Sequence, residues 1–419
     1  MDLYIARQPV LDRRERLFAY EMLYRTDEKN RFPDGTDDNT ATQSVLSHLL
    51  LNVGLDTLVG RARALINFTG NQLLEGLPSQ LPPDRCIVEL LESVVPSREV
   101  VEACAGLHRM GYRLALDDVD FKTADWQALL PYASIVKVDF RAADQDQLAE
   151  NLARIRLYPN LRLLAEKVET HEEFRLATSL GFHYFQGYFF SRPEMLKYRR
   201  LDTAKVVLLN LLIEICRPEI DLERIERIIA PDASLSYKLL RYINSVYYSL
   251  ISEVVSIRHA LTYLGISGVR QFISLVATTE MTTGKPSELM RLAMVRAELC
   301  HSLALFRMER NEASQLFLLG LFSLLDAMLD MPMHEVTASL PLSSALKSGL
   351  NEEDGPFFPY LQAVLLYERG EFQACTTILT QLDISPEYMI QSYINALSRA
   401  NLFERIFQTN PADKQDGID

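Results

Sequence analysis

The chain has 419 residues, 48% of them apolar, and a formal net charge of −13. This length and apolar content suit two or three domains with sizeable cores, and the acidic balance argues against nonspecific binding to nucleic acid or another polyanion. No apolar run reaches membrane-spanning length and the first residues are not a signal peptide, which predicts a cytoplasmic protein that engages no membrane.

Through the first 200 residues, apolar runs recur at 3–12, 17–25, 64–69, 86–92, 114–120, 135–140, 161–169 and 184–190. Helix-like apolar spacing separates them at 41–58, 96–110, 141–156 and 170–180. Eight strands with mostly helical crossovers predict an α/β domain, a compact β/α barrel of the TIM-like kind. Run after run is apolar first and polar last. Glu21 follows Phe18-Ala19-Tyr20, Asn67 follows Ala64-Leu65-Ile66, and Glu89 follows Cys86-Ile87-Val88. Asp117 and Asp118 close the fifth run, Lys137 and Asp139 the sixth, and Glu166 the seventh, while Gln186 lies in the eighth. In a barrel such strand ends share one rim, where these folds place their chemistry. Carboxylates gathered without cysteine or clustered histidine suit Mg2+, Mn2+ or Ca2+. Paired ions of that kind can clamp the oxygens of a phosphodiester, and Lys137 could hold an attacking water or offset developing charge. Cys86, Cys104, Cys216, Cys300 and Cys375 are scattered and read as small buried hydrophobes.

These residues resemble the EAL domain, a β/α barrel that binds cyclic di-GMP and opens it to linear pGpG. The likeness covers residues 3–195. It is carried by Gln8-Pro9-Val10, Glu21-Met22-Leu23-Tyr24-Arg25, Ile66-Asn67, Glu89-Leu90-Leu91-Glu92, Asp117-Asp118, Lys137-Val138-Asp139, Ala165-Glu166-Lys167-Val168-Glu169, and Gln186-Gly187 with Pro193. The resemblance implies Glu21, Asn67, Glu89, Asp117, Asp118 and Glu166 as ligands of Mg2+ or Mn2+, with Ca2+ inhibitory. It implies Lys137 beside the nucleophilic water and Glu166 as general base. Gln8, Leu23, Arg25, Gln186 and Pro193 would contact or border the ligand, and Glu92 would anchor the loop after Asp118. That loop departs from the family pattern. Where the family reads Asp-Asp-Phe-Gly-x-Gly, this chain reads Asp117-Asp118-Val119-Asp120-Phe121-Lys122, and Lys167 replaces a further glycine. Without glycine, positive φ is harder to reach, and a misplacement of about 1 Å can lower a rate roughly a hundredfold.

From about residue 201 the period is helical. Ser234 is placed to cap a helix carrying Leu235, Leu239, Tyr242, Ile243 and Val246. Ser256 is placed to start one that Gly265 stops, and Ser267 to start another. The stretches 232–245 and 256–265 resemble the HDOD domain, a helical relative of the HD phosphohydrolases. Ser323 and Leu324 stand where those enzymes carry His-Asp, so no chemistry is assigned to this half; His259, His301 and His334 read as structural or surface residues. Residues 356–403 read as short helices, with Gly370 between two of them. The expected organisation is therefore an EAL-like barrel over 1–200, an HDOD-like bundle over 201–405 and a polar tail over 406–419.

The resemblance implies a bacterial cyclic di-GMP signalling protein, associated with motility or biofilm, with weak or absent hydrolysis and output through a protein partner of the helical half. Barrels of this kind often form homodimers, although nothing in these residues marks a dimer face. An active cyclic di-GMP phosphodiesterase and a pure interaction scaffold are the alternatives.

Overall fold

The computed structural model describes residues 4–25, 54–117, 126–141, 152, 155, 157–192, 211–212, 214–215, 220–244, 254–281, 285–308 and 310–408. By its internal contacts the chain divides into two units, one of Met1–Arg192 with Leu366–Thr376, the other of Pro193–Leu365 with Thr377–Asp419.

The first unit is built on a closed eight-stranded barrel. Its strands are β1 (Tyr4–Asp12), β2 (Leu17–Arg25), β3 (Arg63–Phe68), β4 (Cys86–Leu90), β5 (Arg113–Leu116), β6 (Ile135–Asp139), β7 (Arg162–Glu166) and β8 (Tyr184–Gln186). β1 runs antiparallel to both neighbours, β2 and β8, while the remaining pairs are parallel. The tight turn through Arg13–Arg16 reverses the chain, because a parallel partner would need a far longer crossover.

Period two organises the interior. Val10, Ala19, Leu65, Ile87, Ala115, Ile135 and Leu164 form one buried apolar cluster, a single residue from each of seven strands. Side chains two apart on a strand share a face. One step onward from this layer lie Glu21, Asn67, Glu89, Asp117, Lys137 and Glu166. One step back lie Arg63, Arg113 and Arg162. The apolar layer thus separates an acidic mouth from a basic one, and each fully buried Leu or Ile in it contributes about 1.5–3 kcal/mol.

Two well-defined helices flank the strands. Arg98–Arg109 is capped by Ser97, and His171–Leu180 starts in a capping box between Thr170 and Glu173. Both fall in expected helical segments. The segments 41–53 and most of 141–156 lie outside the described residues. The barrel unit also includes part of the C-terminal sequence. Tyr367, fully buried, donates its hydroxyl to the Ile5 carbonyl at 2.9 Å and meets the Phe372 ring edge-on. Tyr188 donates to the Glu368 carbonyl at 3.2 Å.

The second unit is helical throughout its described part, with Leu222–Ile229, Ala233–Ile243, Ile257–Met281, Ser287–Leu305, Arg310–Phe322 and Pro386–Gln408 among its helices. Asp232 rather than Ser234 caps the second of these, its carboxylate accepting from Leu235 N at 3.0 Å. An Asp two residues earlier offers the same acceptor with added charge at the positive helix end. Ser256 caps the third as expected, and Gly265 at φ 63° and ψ 178° breaks it. Ser323 donates to Gly320 O and accepts from Arg296 Nη1. Cys86, Cys104, Cys300 and Cys375 are buried free thiols, and Cys216 lies outside the described residues. No single described helix is long and apolar enough to cross a membrane. Residues 201–210 and 216–219 lie outside the described residues, as do 409–419 of the expected tail, whose first residues 406–408 instead end the helix Pro386–Gln408.

Candidate functional site at the acidic mouth of the barrel

Register brings the site together before any side chain is considered. Gln8 lies opposite Glu21 across β1 and β2, Asn67 opposite Glu89 across β3 and β4, and Asp139 opposite Glu166 across β6 and β7. At the centre stands Lys137, 1% exposed. Its ammonium lies 2.8 Å from Glu166 Oε1, 3.0 Å from Asp117 Oδ1 and 3.3 Å from Glu21 Oε2, and it also contacts Glu89 Oε1. Gln186 Nε2 donates to Glu21 Oε2 at 2.6 Å and to Gln8 Oε1 at 2.7 Å. Asn67 adds a further hydrogen bond to Glu21.

One ammonium cannot balance four enclosed carboxylates, and their ionisation shows it. Burial pushes the Glu89 carboxyl well up, with Glu21 and Asp117 adding to the rise against the pull of Lys137. Burial likewise raises Glu166 to about 7. Glu21 is buried too, but the charge of Lys137 and hydrogen bonds from Gln186, Lys137 and Asn67 hold it below its ordinary value. Lys137 loses ground to burial and more than regains it from Glu21, Glu89, Glu166 and Asp117, so it stays protonated.

The donor set fits a hard divalent cation. Every candidate ligand is an oxygen, and Glu89 Oε2 and Gln186 Oε1 are buried with no hydrogen-bond partner among the described residues. Among the described residues no three His, Cys, Asp or Glu side chains form a ready-made cage. Lys137 stands at the centre of the acids, so an entering cation would share or take over its role.

Of the residues expected from sequence, Gln8, Glu21, Asn67, Glu89, Asp117, Lys137, Glu166 and Gln186 meet at this mouth. Leu23 stands one step beyond Glu21 on the same face of β2, half-buried. Glu92 is exposed just after β4. Asp118, the Val119–Lys122 loop, Pro193 and the Arg25 side chain lie outside the described residues. Two features escape a reading of strand ends alone. Lys167, noted only as a lost glycine, holds φ at 56° and pairs with Asp139 at 2.5 Å, bringing a second ammonium to the rim. Gly187, at φ 143°, lies so close to Val168 that an added Cβ would meet its carbonyl oxygen at 2.0 Å. That approach lets Val168 N bond to Gln186 O at 3.0 Å and fixes the glutamine.

The EAL domain family matches residues 2–193 and the HDOD domain family residues 201–329. The cyclic di-GMP phosphodiesterase CdgJ of Vibrio cholerae is 38% identical over 94% of this chain and 91% of its own length. The uncharacterized protein YuxH of Bacillus subtilis is 31% identical over 95% of this chain and 98% of its own. The structure of Klebsiella pneumoniae BlrP1 in its calcium and cyclic di-GMP complex is 23% identical over 46% of this chain and 56% of that one, with a TM-score of 0.37. With full-length relatives of 38% and 31% identity and both domains matched in order, the chain belongs to the EAL–HDOD family.

Proposed function

We propose that the acidic mouth binds cyclic di-GMP through Mg2+ or Mn2+, and that the chain is a cyclic di-GMP signalling protein whose helical half carries the output to a protein partner. The observation that carries this reading is the convergence of Glu21, Asn67, Glu89, Asp117 and Glu166 on one enclosed point around Lys137. Those oxygens, with Asp118, would hold the ions, which supply Lewis-acid activation of the phosphodiester. Lys137 offsets the charge that remains on the carboxylates. Gln186, itself steadied by Gln8, orients Glu21. Glu166 is assigned as the general base that takes a proton from the attacking water; burial raises its carboxyl to about 7 without metal, and a bound cation would hold it ionised and able to accept that proton. The water oxygen bonds to phosphorus as the bond to the 3′ oxygen breaks, and the proton taken from the water ends on that oxygen as the 3′ hydroxyl of linear pGpG.

Slow turnover follows from two departures from the family pattern. The loop after Asp118 lacks both glycines, and Lys167 occupies a positive-φ position that disfavours a side chain. Efficient hydrolysis is the second reading, favoured by the complete convergent set and by the activity in the name of the Vibrio relative. Incubation with cyclic di-GMP and Mg2+ or Mn2+, followed by chromatography for pGpG, separates them. Slow, metal-dependent product formation supports the first; rapid formation abolished by Glu21→Ala supports the second. Calorimetry with no heat of binding, with or without metal, would leave the barrel an interaction scaffold.

A further inference from the structure

We propose that the opposite, basic mouth of the barrel is a second binding site, for a ligand carrying two or more adjacent phosphoryl groups. The site is an open cup of about 680 Å³, within the size range of small-molecule sites. Its wall is the turn between β1 and β2, which presents Arg13, Arg14 and Arg16, together with Arg162 from the start of β7. Among the residues lining it, Asp12 is the only acid. Its floor is the stacked ring pair of Phe18 and Tyr184, with centroids 3.9 Å apart, both packed against the apolar layer of the barrel.

The arginines divide by what already occupies them. Arg16 is spent on Asp12, through Nε and Nη2, and Arg13 on the carbonyls of Phe182 and Gly181. These two brace the turn. The Arg14 side chain is exposed and makes no hydrogen bond or ion pair among the described residues, while its backbone N–H donates to Asp12 Oδ1 at 2.8 Å. Arg162 is exposed with one long contact, 3.4 Å to Pro159 O, and Arg63 stacks loosely over Phe18 at 5.9 Å. The planar guanidinium presents a fork of N–H donors that pairs bidentately with phosphate oxygens. A chain of net charge −13 that gathers arginines around a concave floor has built a local field opposite to its own. His183 lines the same cup. Burial first, then the charges of Arg13 and Arg162, hold its imidazole down at about 4.

Adjacent phosphoryl groups occur on soluble polyphosphates and nucleotides and on the headgroups of diphosphorylated lipids, and the test separates these sources. The full chain is titrated with tripolyphosphate in EDTA, which removes divalent cations and so takes the acidic mouth out of contention. The same chain is sedimented with vesicles containing cardiolipin. Arg14→Ala/Arg162→Ala is compared with a charge-matched control, Arg98→Ala/Arg175→Ala, on exposed barrel helices. The proposal expects saturable binding that weakens with salt and falls about tenfold or more in the first variant only. Such loss with tripolyphosphate assigns a soluble ligand; such loss confined to vesicles assigns a lipid headgroup. No binding to either probe, or equal losses in the two variants, overturns it. The proposal is independent of the cyclic di-GMP reading, because no residue of the acidic mouth takes part.

Discussion

At one mouth of the barrel Glu21, Glu89, Asp117 and Glu166 crowd around Lys137; at the other, Arg63, Arg113 and Arg162 stand at the opposite ends of strands from the same set. Both groups lie on inward faces, two residues either side of one apolar layer. Burial sets them apart. Lys137 and Glu89 are at most 1% exposed and have strongly shifted ionisation, whereas Arg14, Arg113 and Arg162 are exposed to solvent. Enclosed charges are strong, mutually dependent and suited to chemistry, while exposed ones are screened and suited to reversible capture. A net charge of −13 averages the two away.

The largest effect is expected where that enclosure is broken. Lys137→Met leaves its carboxylates without their shared cation, and the metal-free protein should lose about 3–5 kcal/mol of stability. Mg2+ should restore more melting temperature to this variant than to the parent. The loss should also shrink on acidification. Glu166 already titrates near 7 in the parent, above the usual carboxylate range, so the folded state binds more protons than the unfolded chain between about 4.5 and 7. Its contribution therefore falls as pH rises through that window, and thermal melts at pH 5 and pH 8 read the difference.

Next in size, Glu89→Ala should weaken metal affinity by at least about 10–100-fold, the range for losing even an outer-shell partner of a metal ligand. Titration with Mn2+ reads this, and tripolyphosphate binding at the basic mouth should not change; loss at both mouths would mean that the barrel, not the site, had failed. Tyr367→Phe removes the bond to the Ile5 carbonyl and should lower stability by about 1 kcal/mol in denaturant melts. Smallest of all, Lys167→Gly exchanges a strained backbone and an exposed ion pair for a flexible residue, so stability should move by less than about 1 kcal/mol. Its informative readout is pGpG formation, expected to rise as the glycine of the family pattern returns.

Much of the barrel was legible because an inward strand position must be apolar at mid-depth, so the switch from Ile87 to Glu89 or from Ile135 to Lys137 marks where each strand reaches its mouth. The same period run backwards from Leu65 to Arg63 and from Leu164 to Arg162 marks the basic mouth. It is easily passed over, since an arginine before an apolar run also reads as an ordinary solvated strand start. The place of Lys137 at the centre of four acids follows from the register of separate strands, which no local pattern encodes. The contribution of Tyr367 to the barrel unit is equally hidden, being more than 360 residues from Ile5 along the chain. Asp232 displaced Ser234 as a cap because both are good caps, and spacing alone does not choose between them.

Calorimetric titration of cyclic di-GMP into the full chain, with Mn2+ and then with EDTA, tests the central claim most directly. The account predicts saturable binding with Mn2+ that is lost in EDTA and in Glu21→Ala. Absence of binding in every condition, or binding that persists in Glu21→Ala, would contradict it.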